Sequence, residues 1–346
     1  MDIIKNKKYL DSLEKIAQNL SVKEGHILVT GATGLIGSCM VDVLLYANRE
    51  CGCQFQVYAA GRSKEKMQKR FAYVQDEAQL VYLEQDVCEP LNGEYELDYI
   101  VHAASNADPC AYSLYPAETL LTNIYGTKNM LEYCKAHINT RLLLTSTFEV
   151  YGRVDGVDEY YENMSGTVNV NQIRSCYPES KRCAEILMRC YGEEYHVDSV
   201  IARLCSIYGP TMSATDSKAH AQFIRNALNG QDIVLKSEGL QCRTYCYVMD
   251  AVDALFKVLF DGVSGEAYNI SNEKSIATIA QVAQTVAKIS GTKVTFDLPD
   301  EIERKGFSTP QNCILNNEKL RALGWEGRYT LEEGITQTIA ILRELQ

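Results

Sequence analysis

Short apolar runs alternate with amphipathic stretches along the first 270 residues of the chain. Runs rich in Val, Ile, Leu and Ala predict buried strands at 26–30, 56–60, 80–83, 99–103, 141–145, 199–203 and 266–270. Apolar residues at helical spacing predict helices at 35–47, 64–70, 116–137, 177–195 and 250–260. Strands that alternate with helices are typical of a parallel sheet covered on both faces. The pattern therefore predicts an α/β fold with a doubly wound parallel sheet.

The two ends of the chain depart from this alternation. Residues 1–24 predict a helical extension, because Ile4, Leu10, Leu13, Ile16 and Leu20 lie near one helix face. From Ser206 onward the segments are less regular, and Gly, Pro and Asn are more frequent. We expect a first domain at 25–205 and a smaller substrate lobe at 206–346. That lobe is interwoven with the first domain, since 244–271 again reads as strand and helix of the first layer.

Composition narrows the class of protein. The chain has 346 residues and a formal net charge of −11, which argues against nucleic acid as a partner because phosphate backbones attract surplus Lys and Arg. It shows neither a membrane-spanning run nor a signal peptide, so we predict a cytoplasmic protein without membrane contact. The 13 cysteines are scattered and odd in number, and the histidines have no ligand spacing, so we expect reduced thiols and no metal site.

A glycine-rich loop follows the first strand. Gly31, Gly34 and Gly37 form G-x-x-G-x-x-G between that strand and the first long helix. The glycines permit a tight turn and a close backbone approach, and the free N–H groups of the helix start face the phosphates of a ligand. The strand–turn–helix context predicts dinucleotide binding on a Rossmann-like sheet.

This glycine spacing resembles the short-chain dehydrogenase/reductase family, and in particular its extended branch that acts on nucleotide sugars. Further motifs over residues 26–271 strengthen the resemblance: Asp86-Val87, His102-Ala103-Ala104-Ser105, Asn123–Thr127, Arg203–Pro210 and Arg243–Asp250. The resemblance implies a homodimer that pairs through the helices at 116–137 and 177–195. It also implies cofactor contacts from Gly31, Thr33, Gly34, Leu35, Ile36, Gly37, Asp86, Val87, His102, Ala103, Ala104, Ser105 and Asn123.

The reactive group is predicted from a Tyr-x-x-x-Lys. Tyr177 and Lys181 lie four residues apart and therefore on one helix face, where the ammonium lowers the pKa of the phenol. The family places a hydroxyl at the end of the preceding strand, a role for Thr147 with Ser146 as second candidate. The resemblance implies that Tyr177 removes a sugar hydroxyl proton while hydride passes to the nicotinamide. Lys181 then tunes Tyr177 and contacts the cofactor, as Tyr177 also does.

The residues after Thr147 bear on the type of reaction. Nucleotide-sugar 4,6-dehydratases carry Thr-Asp-Glu, whereas this chain has Thr147-Phe148-Glu149. Phenylalanine cannot protonate a departing hydroxyl, which counts against dehydration. Together with the segment from Arg174 to Arg182, the block most resembles UDP-glucuronate decarboxylases, which have Ser at the position of Phe148. The resemblance implies a base role for Glu149.

Four residues are substrate-binding candidates. Arg243 corresponds to an arginine that borders the sugar and the diphosphate in the decarboxylases, and Arg174 lies in the segment that matches them. Ser206 stands where most relatives have Asn, and Lys236 lies where they have a Gly-x-Gly turn. Because these two positions depart from the family pattern, the sequence does not identify the sugar or the nucleoside of the substrate.

The segment at the end of the second strand bears on the cofactor. Tyr58–Ser63 has no carboxylate for a ribose 2′-hydroxyl, and Arg62 with Ser63 suits a 2′-phosphate. The window favours NADP(H), with NAD(H) as the alternative. Three functions follow: redox-neutral modification of a nucleotide-linked sugar (epimerase or decarboxylase type), NADPH-dependent reduction of a nucleotide-linked keto sugar, and, ranked last, a non-catalytic cofactor sensor.

Overall fold

A computed structural model describes residues 2–74, 78–91, 93, 95–298 and 312–346. Its centre is a seven-stranded sheet in which all neighbouring strands are parallel. The strands are β1 (Glu24–Thr30), β2 (Gln54–Gly61), β3 (Leu80–Glu84), β4 (Tyr99–His102), β5 (Arg141–Thr147), β7 (Ser199–Leu204) and β11 (Ala267–Ile270). Their order is β11-β7-β5-β4-β1-β2-β3. The prediction of a doubly wound parallel α/β sheet is confirmed.

Helices cover both faces of this sheet. On one face lie α1 (Lys7–Gln18), α2 (Leu35–Glu50) and α8 (Val248–Asp261). On the other lie α5 (Pro116–Ala136) and α6 (Cys176–Tyr195), which pack against each other. Successive strand residues point to opposite faces, so Ile27 and Val29 join the first core while Leu28 joins the second. A continuous apolar strand is therefore buried on both sides.

The strand order fixes the position of the site. The chain leaves β1 toward β2 and leaves β4 toward β5, so the two connections diverge from adjacent strands. Ligands of such sheets bind in the crevice at the carboxyl ends of the strands at this switch point. The glycine loop, the turn after His102 and the end of β5 at Thr147 all lie at that edge.

The other elements surround the carboxyl edge of the sheet or complete the second half of the chain. Among the residues described, they form the pairs β6 (Glu159–Tyr160) with β14 (Ile314–Leu315) and β9 (Ile233–Leu235) with β13 (Val294–Phe296). A three-stranded sheet has the order β12 (Ile276–Thr278), β10 (Cys242–Tyr247), β8 (Ser206–Tyr208). The helices are α3 (Lys64–Arg70), α4 (Pro109–Leu114), α7 (Ala219–Leu228), α9 (Ile279–Ser290), α10 (Glu318–Ala322) and α11 (Leu331–Leu345).

The N-terminal extension packs on the sheet's helical layer. A 3₁₀ turn at Ile3–Lys5 precedes α1, which buries Tyr9, Leu13, Ile16 and Ala17 against the core. A fully buried carboxylate, Asp42 on α2, ties the extension to its neighbours. It accepts hydrogen bonds from the hydroxyls of Tyr9 and Tyr73 at 2.6 Å each and forms an ion pair with Arg70.

Two further observations concern the described part of the chain. No helix in it is both long and apolar enough to cross a membrane. It also contains no group of three or more His, Cys, Asp or Glu side chains placed to hold a metal ion.

Candidate active site

The glycine loop brings backbone atoms into close approach at the switch point. Gly31 has φ +66°, and a Cβ there would lie 2.9 Å from the carbonyl oxygen of Ala103 and the nitrogen of Ala104. A Cβ on Gly37 would lie 2.4 Å from the Gly31 carbonyl oxygen. Helix α2 begins at Leu35 directly after the loop, with Gly34 as its N-cap. Free N–H groups at this helix start fit the diphosphate of a dinucleotide.

Buried polar atoms around the crevice fit a polar cofactor. Within the described residues, His102 Nε2, Ser105 Oγ and Asn123 Oδ1 are buried and have no hydrogen-bond partner. The other ring nitrogen of His102 lies 2.9 Å from Thr30 Oγ1, and burial lowers the pKa of this histidine to about 3. The imidazole is therefore neutral, and its unpaired nitrogen lies beside Gly126 of α5.

The remaining cofactor candidates lie after β2 and β3, at the same edge of the sheet. Asp86 accepts a hydrogen bond from the backbone nitrogen of Cys88 at 2.9 Å, and Val87 is buried. Ser63 caps α3 by accepting from the Lys66 nitrogen at 3.2 Å. Arg62 forms an exposed ion pair with Glu118 at 3.0 Å. The cofactor roles of these residues, and of Thr33, Leu35 and Ile36 in the loop, stay predictions.

Tyr177 and Lys181 lie on α6 and are both buried, next to Thr147 at the end of β5. The ammonium of Lys181 donates to the Thr145 carbonyl oxygen at 2.9 Å. Burial lowers the pKa of Lys181 to about 8, while the charge of Glu185 opposes this shift. Lys181 thus extends from α6, which carries it, to the end of β5, where its ammonium group is bound.

The surroundings of Tyr177 act on its pKa in both directions. Burial raises this pKa well above its usual value, the nearby charge of Glu149 raises it further, and the Thr147 hydroxyl lowers it. Burial outweighs the lowering expected from Lys181, whose ammonium donates to the Thr145 carbonyl oxygen. Its use as a base therefore requires a neighbouring cation, ligand or donor that stabilises the phenolate.

The structure separates the two hydroxyl candidates at the end of β5. Ser146 donates a hydrogen bond to Glu185 at 2.5 Å, and Glu185 forms a buried ion pair with Arg203 at 2.7 Å. Ser146 is thus engaged within the layer of α6 and β7. Thr147 is the hydroxyl that lies beside Tyr177. Sequence reasoning missed Glu185, although its spacing of four residues from Lys181 places it on the same helix face.

Glu149 lies beside Tyr177 and is held by an arginine. Both oxygens of Glu149 accept hydrogen bonds from Arg174, at 2.7 and 3.1 Å. Arg174 lies in a 3₁₀ turn, Ile173–Ser175, that leads into α6. Its guanidinium also approaches Tyr112, at 5.5 Å from the ring centre and 3.5 Å from the hydroxyl. The Tyr112 ring in turn stacks on Tyr177, so these four residues form one cluster.

Sequence reasoning missed Tyr112 and the short helix α4 that carries it. The available signal was Asp108-Pro109, because Asp is a preferred N-cap and Pro suits the first helical position. Asp108 also links the helix to the second half of the chain, since it accepts hydrogen bonds from the nitrogen and the hydroxyl of Ser217 at 2.7 and 2.9 Å.

The other three substrate candidates lie in the second half of the chain. The guanidinium of Arg243 is 5.8 Å from the centre of the Phe148 ring, and its Nε is buried with no hydrogen-bond partner. Ser206 begins β8 and lies opposite Tyr245 of β10. Lys236 instead forms an exposed ion pair with Asp297 at 2.7 Å, just beyond the ends of β9 and β13. The structure thus brings Arg174 and Arg243 to the residues after Thr147, while Lys236 is engaged elsewhere.

Comparison with known proteins places this site in a family. The family model described as "NAD dependent epimerase/dehydratase family" matches residues 27–271. UDP-glucuronic acid decarboxylase 3 of Arabidopsis thaliana is 35% identical over 309 residues, which are 89% of this chain and 86% of the relative. UDP-glucuronic acid decarboxylase 1 of Xenopus tropicalis is 33% identical over 322 residues, 92% of this chain and 72% of the relative.

A solved structure shows the same fold. UDP-glucuronic acid 4-epimerase from Bacillus cereus, in complex with UDP-glucuronic acid and NAD, aligns with a TM-score of 0.74 at 22% identity. The alignment covers 93% of this chain and 100% of that protein.

The parallel sheet, the glycine loop at its switch point and the Tyr-Lys pair beside Thr147 define a nicotinamide-dependent enzyme of the extended short-chain dehydrogenase/reductase type. The chain belongs to the NAD dependent epimerase/dehydratase family. The resemblance found in the sequence and the prediction of an enzyme are both confirmed.

Proposed function

We propose that this enzyme decarboxylates UDP-glucuronic acid in an NAD-dependent reaction that is redox-neutral overall. The observation that carries the proposal is the placement of Glu149 and its partner Arg174 next to Tyr177. Support comes from the relatives, which are named as UDP-glucuronic acid decarboxylases and match about nine-tenths of this chain. Arg174 beside the Tyr177 cluster and Arg243 beside Phe148 also suit a substrate that carries both a diphosphate and a carboxylate.

Each proposed catalytic residue has a separate role in the proton transfers of the reaction. Tyr177 accepts the proton of the C4 hydroxyl, Thr147 donates a hydrogen bond to the C4 oxygen, and Lys181 stabilises the phenolate. A nicotinamide cofactor held by the Gly31–Gly37 loop and Lys181 would supply a reversible hydride acceptor for C4. In the resulting 4-keto acid the bond from C5 to the carboxylate breaks, CO₂ leaves, and the electron pair delocalises onto the C4 oxygen. A proton from solvent then reaches C5 by way of the Glu149 carboxyl group, a transfer that we assign to this residue.

Phe148 argues against dehydration within this scheme. A dehydratase has to protonate the departing hydroxyl, and a benzyl group has no proton to give. The Phe148 ring faces Arg243 instead, at 5.8 Å, a distance that permits a cation–π contact. Loss of CO₂ from a β-keto acid requires no proton donor at a leaving oxygen, so Phe148 is compatible with decarboxylation.

The choice between NAD and NADP depends on Arg62. Its guanidinium pairs with Glu118, so its charge is already partly neutralised, and a 2′-phosphate would have to compete with that carboxylate. The family description and the B. cereus structure both refer to NAD. We therefore propose NAD as the cofactor, against the preference for NADP(H) drawn from the sequence. NADPH-dependent reduction of a keto sugar is the alternative that the missing carboxylate after β2 favours.

We also propose a homodimer, and we retain the division into 1–24, 25–205 and 206–346. Helices α5 and α6 expose apolar side chains outward: Leu121 and Tyr125 on α5 and Ile186 on α6 are 42%, 46% and 60% exposed. Such a face suits a symmetric helical contact. Light scattering at micromolar concentration should give about twice the chain mass of 38.8 kDa, and a value near one chain mass contradicts the dimer.

The proposed reaction is tested by measuring the mass of the sugar product and the redox state of the cofactor in the same experiment. The enzyme is incubated with UDP-glucuronic acid and NAD, and the nucleotide sugar is analysed by mass spectrometry while absorbance is followed at 340 nm. A UDP-pentose with stoichiometric CO₂ and no sustained absorbance change supports decarboxylation. A product of unchanged mass indicates epimerisation, and steady consumption of NADPH with a keto sugar indicates the reductase.

A further inference from the structure

The ion pair between Arg174 and Glu149 is built asymmetrically. Glu149 is recessed, with 16% of its side chain exposed, whereas the Arg174 side chain is 56% exposed. The guanidinium offers a two-pronged donor face to the carboxylate of Glu149, at 2.7 and 3.1 Å. The arginine side chain is thus accessible from outside despite this pairing. This geometry is that of a carboxylate receptor whose occupant comes from the protein itself.

The receptor lies at the reacting end of the substrate. In the proposed reaction the C4 oxygen lies at Tyr177, and the carboxylate of a hexuronic acid is carried by the adjacent carbon, C5. The guanidinium of Arg174 lies at the hydroxyl end of Tyr112, whose ring stacks 5.3 Å from Tyr177. The charge of Arg174 reaches Tyr177, because it acts to lower the pKa of that phenol. A cation at this place can contact a carboxylate on C5.

The backbone that carries Arg174 is held in place, while more than half of its side chain is exposed. Ser175 donates a hydrogen bond to the Asn169 carbonyl oxygen at 2.6 Å, and α6 begins at the next residue. A change of partner therefore needs only rotation of the long arginine side chain. Exchange of one carboxylate for another keeps the guanidinium neutralised, whereas a neutral sugar offers nothing to replace Glu149.

We propose that Arg174 is the receptor for the substrate's C5 carboxylate, and that Glu149 occupies this receptor until the substrate displaces it. The inference rests on the proposed decarboxylase function and adds the residue that selects a sugar acid over a neutral sugar. It also links recognition to chemistry, because Glu149 becomes available for the proton at C5 only when a carboxylate has taken its place. A neutral nucleotide sugar leaves Glu149 bound to Arg174.

Binding measurements test the receptor without turnover. Affinities for UDP-glucuronic acid and UDP-glucose are measured calorimetrically in the presence of NAD. Wild type should prefer the acid by about tenfold or more, equivalent to about 1.4 kcal/mol. Arg174→Met should bring the ratio near one, through weaker binding of the acid alone. Arg153→Met is the matched control, since Arg153 forms an exposed pair with Asp155 and should leave the ratio unchanged.

A second variant separates the receptor from a merely structural ion pair. Glu149→Gln removes the competing carboxylate, so UDP-glucuronic acid should bind severalfold more tightly while decarboxylation slows. If the pair of Arg174 and Glu149 had only a structural role, Glu149→Gln would bind UDP-glucuronic acid more weakly than wild type. The proposal is overturned by a wild type without preference for the acid, by an unchanged ratio in Arg174→Met, or by weaker acid binding in Glu149→Gln. Failure of the decarboxylase function appears separately, as a wild type that binds the acid selectively but releases no CO₂.

Discussion

The ring of Tyr112 stacks on the ring of Tyr177, with centres 5.3 Å apart and planes inclined by 20°. Tyr112 belongs to α4, whose N-cap residue Asp108 is bound to Ser217. Contacts from both halves of the chain therefore determine how deeply Tyr177 is buried. The same burial raises the pKa of Tyr177, so this stack contributes to keeping the phenol protonated until substrate and cofactor are in place.

Replacement of Tyr177 by Phe tests its assignment as the proton acceptor. The substitution removes one hydroxyl and keeps the ring stacked on Tyr112, so folding and NAD affinity should change little. The turnover rate should fall by about 10²–10⁴, the usual contribution of a positioned acid or base. Tyr161→Phe, an exposed hydroxyl deletion outside the cluster around Tyr177, is the control and should retain the full rate. A Tyr177→Phe enzyme with near wild-type kcat would remove Tyr177 from the mechanism.

The ion pair of Arg62 determines which cofactor we expect to bind more tightly. Because its guanidinium pairs with Glu118, wild type should bind NAD at least as tightly as NADP. Removal of the competing carboxylate in Glu118→Gln should strengthen NADP binding severalfold and leave NAD binding nearly unchanged. Dissociation constants for both cofactors, measured by fluorescence titration, check this. A wild type that prefers NADP, and loses that preference in Arg62→Ala, would establish the 2′-phosphate role instead.

The buried carboxylate of Asp42 should be a main support of the N-terminal extension. Asp42→Ala leaves the Arg70 guanidinium without its partner and two tyrosine hydroxyls without an acceptor. Breaking a buried ion pair on one side costs about 3–5 kcal/mol of the free energy of unfolding. Asp11→Ala breaks the exposed pair with Lys7 and should cost less than about 1 kcal/mol. Urea denaturation of the two variants measures the difference, and equal losses would refute the role of Asp42.

Stability should fall in mild acid because of His220. Its ring lies between Tyr208 and Tyr245, and burial lowers its pKa to about 4. The unfolded chain takes up the proton near pH 6.5 and the folded chain does not, so the free energy of unfolding falls as pH drops from about 6.5 to 4. Between pH 7 and pH 5 the loss from this group is about 2 kcal/mol.

The variant His220→Phe should remove that part of the pH dependence, as urea denaturation at the two pH values can show. The same substitution at the exposed His137 is the control and should leave the loss in place. An identical drop in stability for wild type and His220→Phe would mean that other groups cause it.

The parts of the fold with repeated local signals could be predicted from sequence. The strands β1 to β5, β7 and β11 follow from apolar runs, and the crevice follows from the glycines between β1 and α2. Helix α4 was not predicted, because its six residues are too few to show a helical periodicity of apolar positions. The pair of Arg174 and Glu149 spans 25 residues, so only the folded chain brings the two side chains together.

The burial of Tyr177 could not be predicted from sequence for a different reason. Sequence spacing identifies Lys181 as a neighbour on the same helix face, but it says nothing about how much solvent the phenol loses on folding. Burial is a property of the packed layers, here of Tyr112 from α4 and Thr147 from β5 as well as α6 itself. The direction of the pKa shift therefore needs the structure.

The most direct test of the central claim uses UDP-glucuronic acid with deuterium at C4. If Tyr177 accepts the C4 hydroxyl proton while the C4 hydrogen leaves as hydride and later returns to the same carbon, the UDP-pentose product keeps the deuterium and has lost CO₂. Mass spectrometry and NMR of the product establish both facts in one sample. A product that has lost the deuterium, or that retains six sugar carbons, would contradict decarboxylation through a transient C4 oxidation.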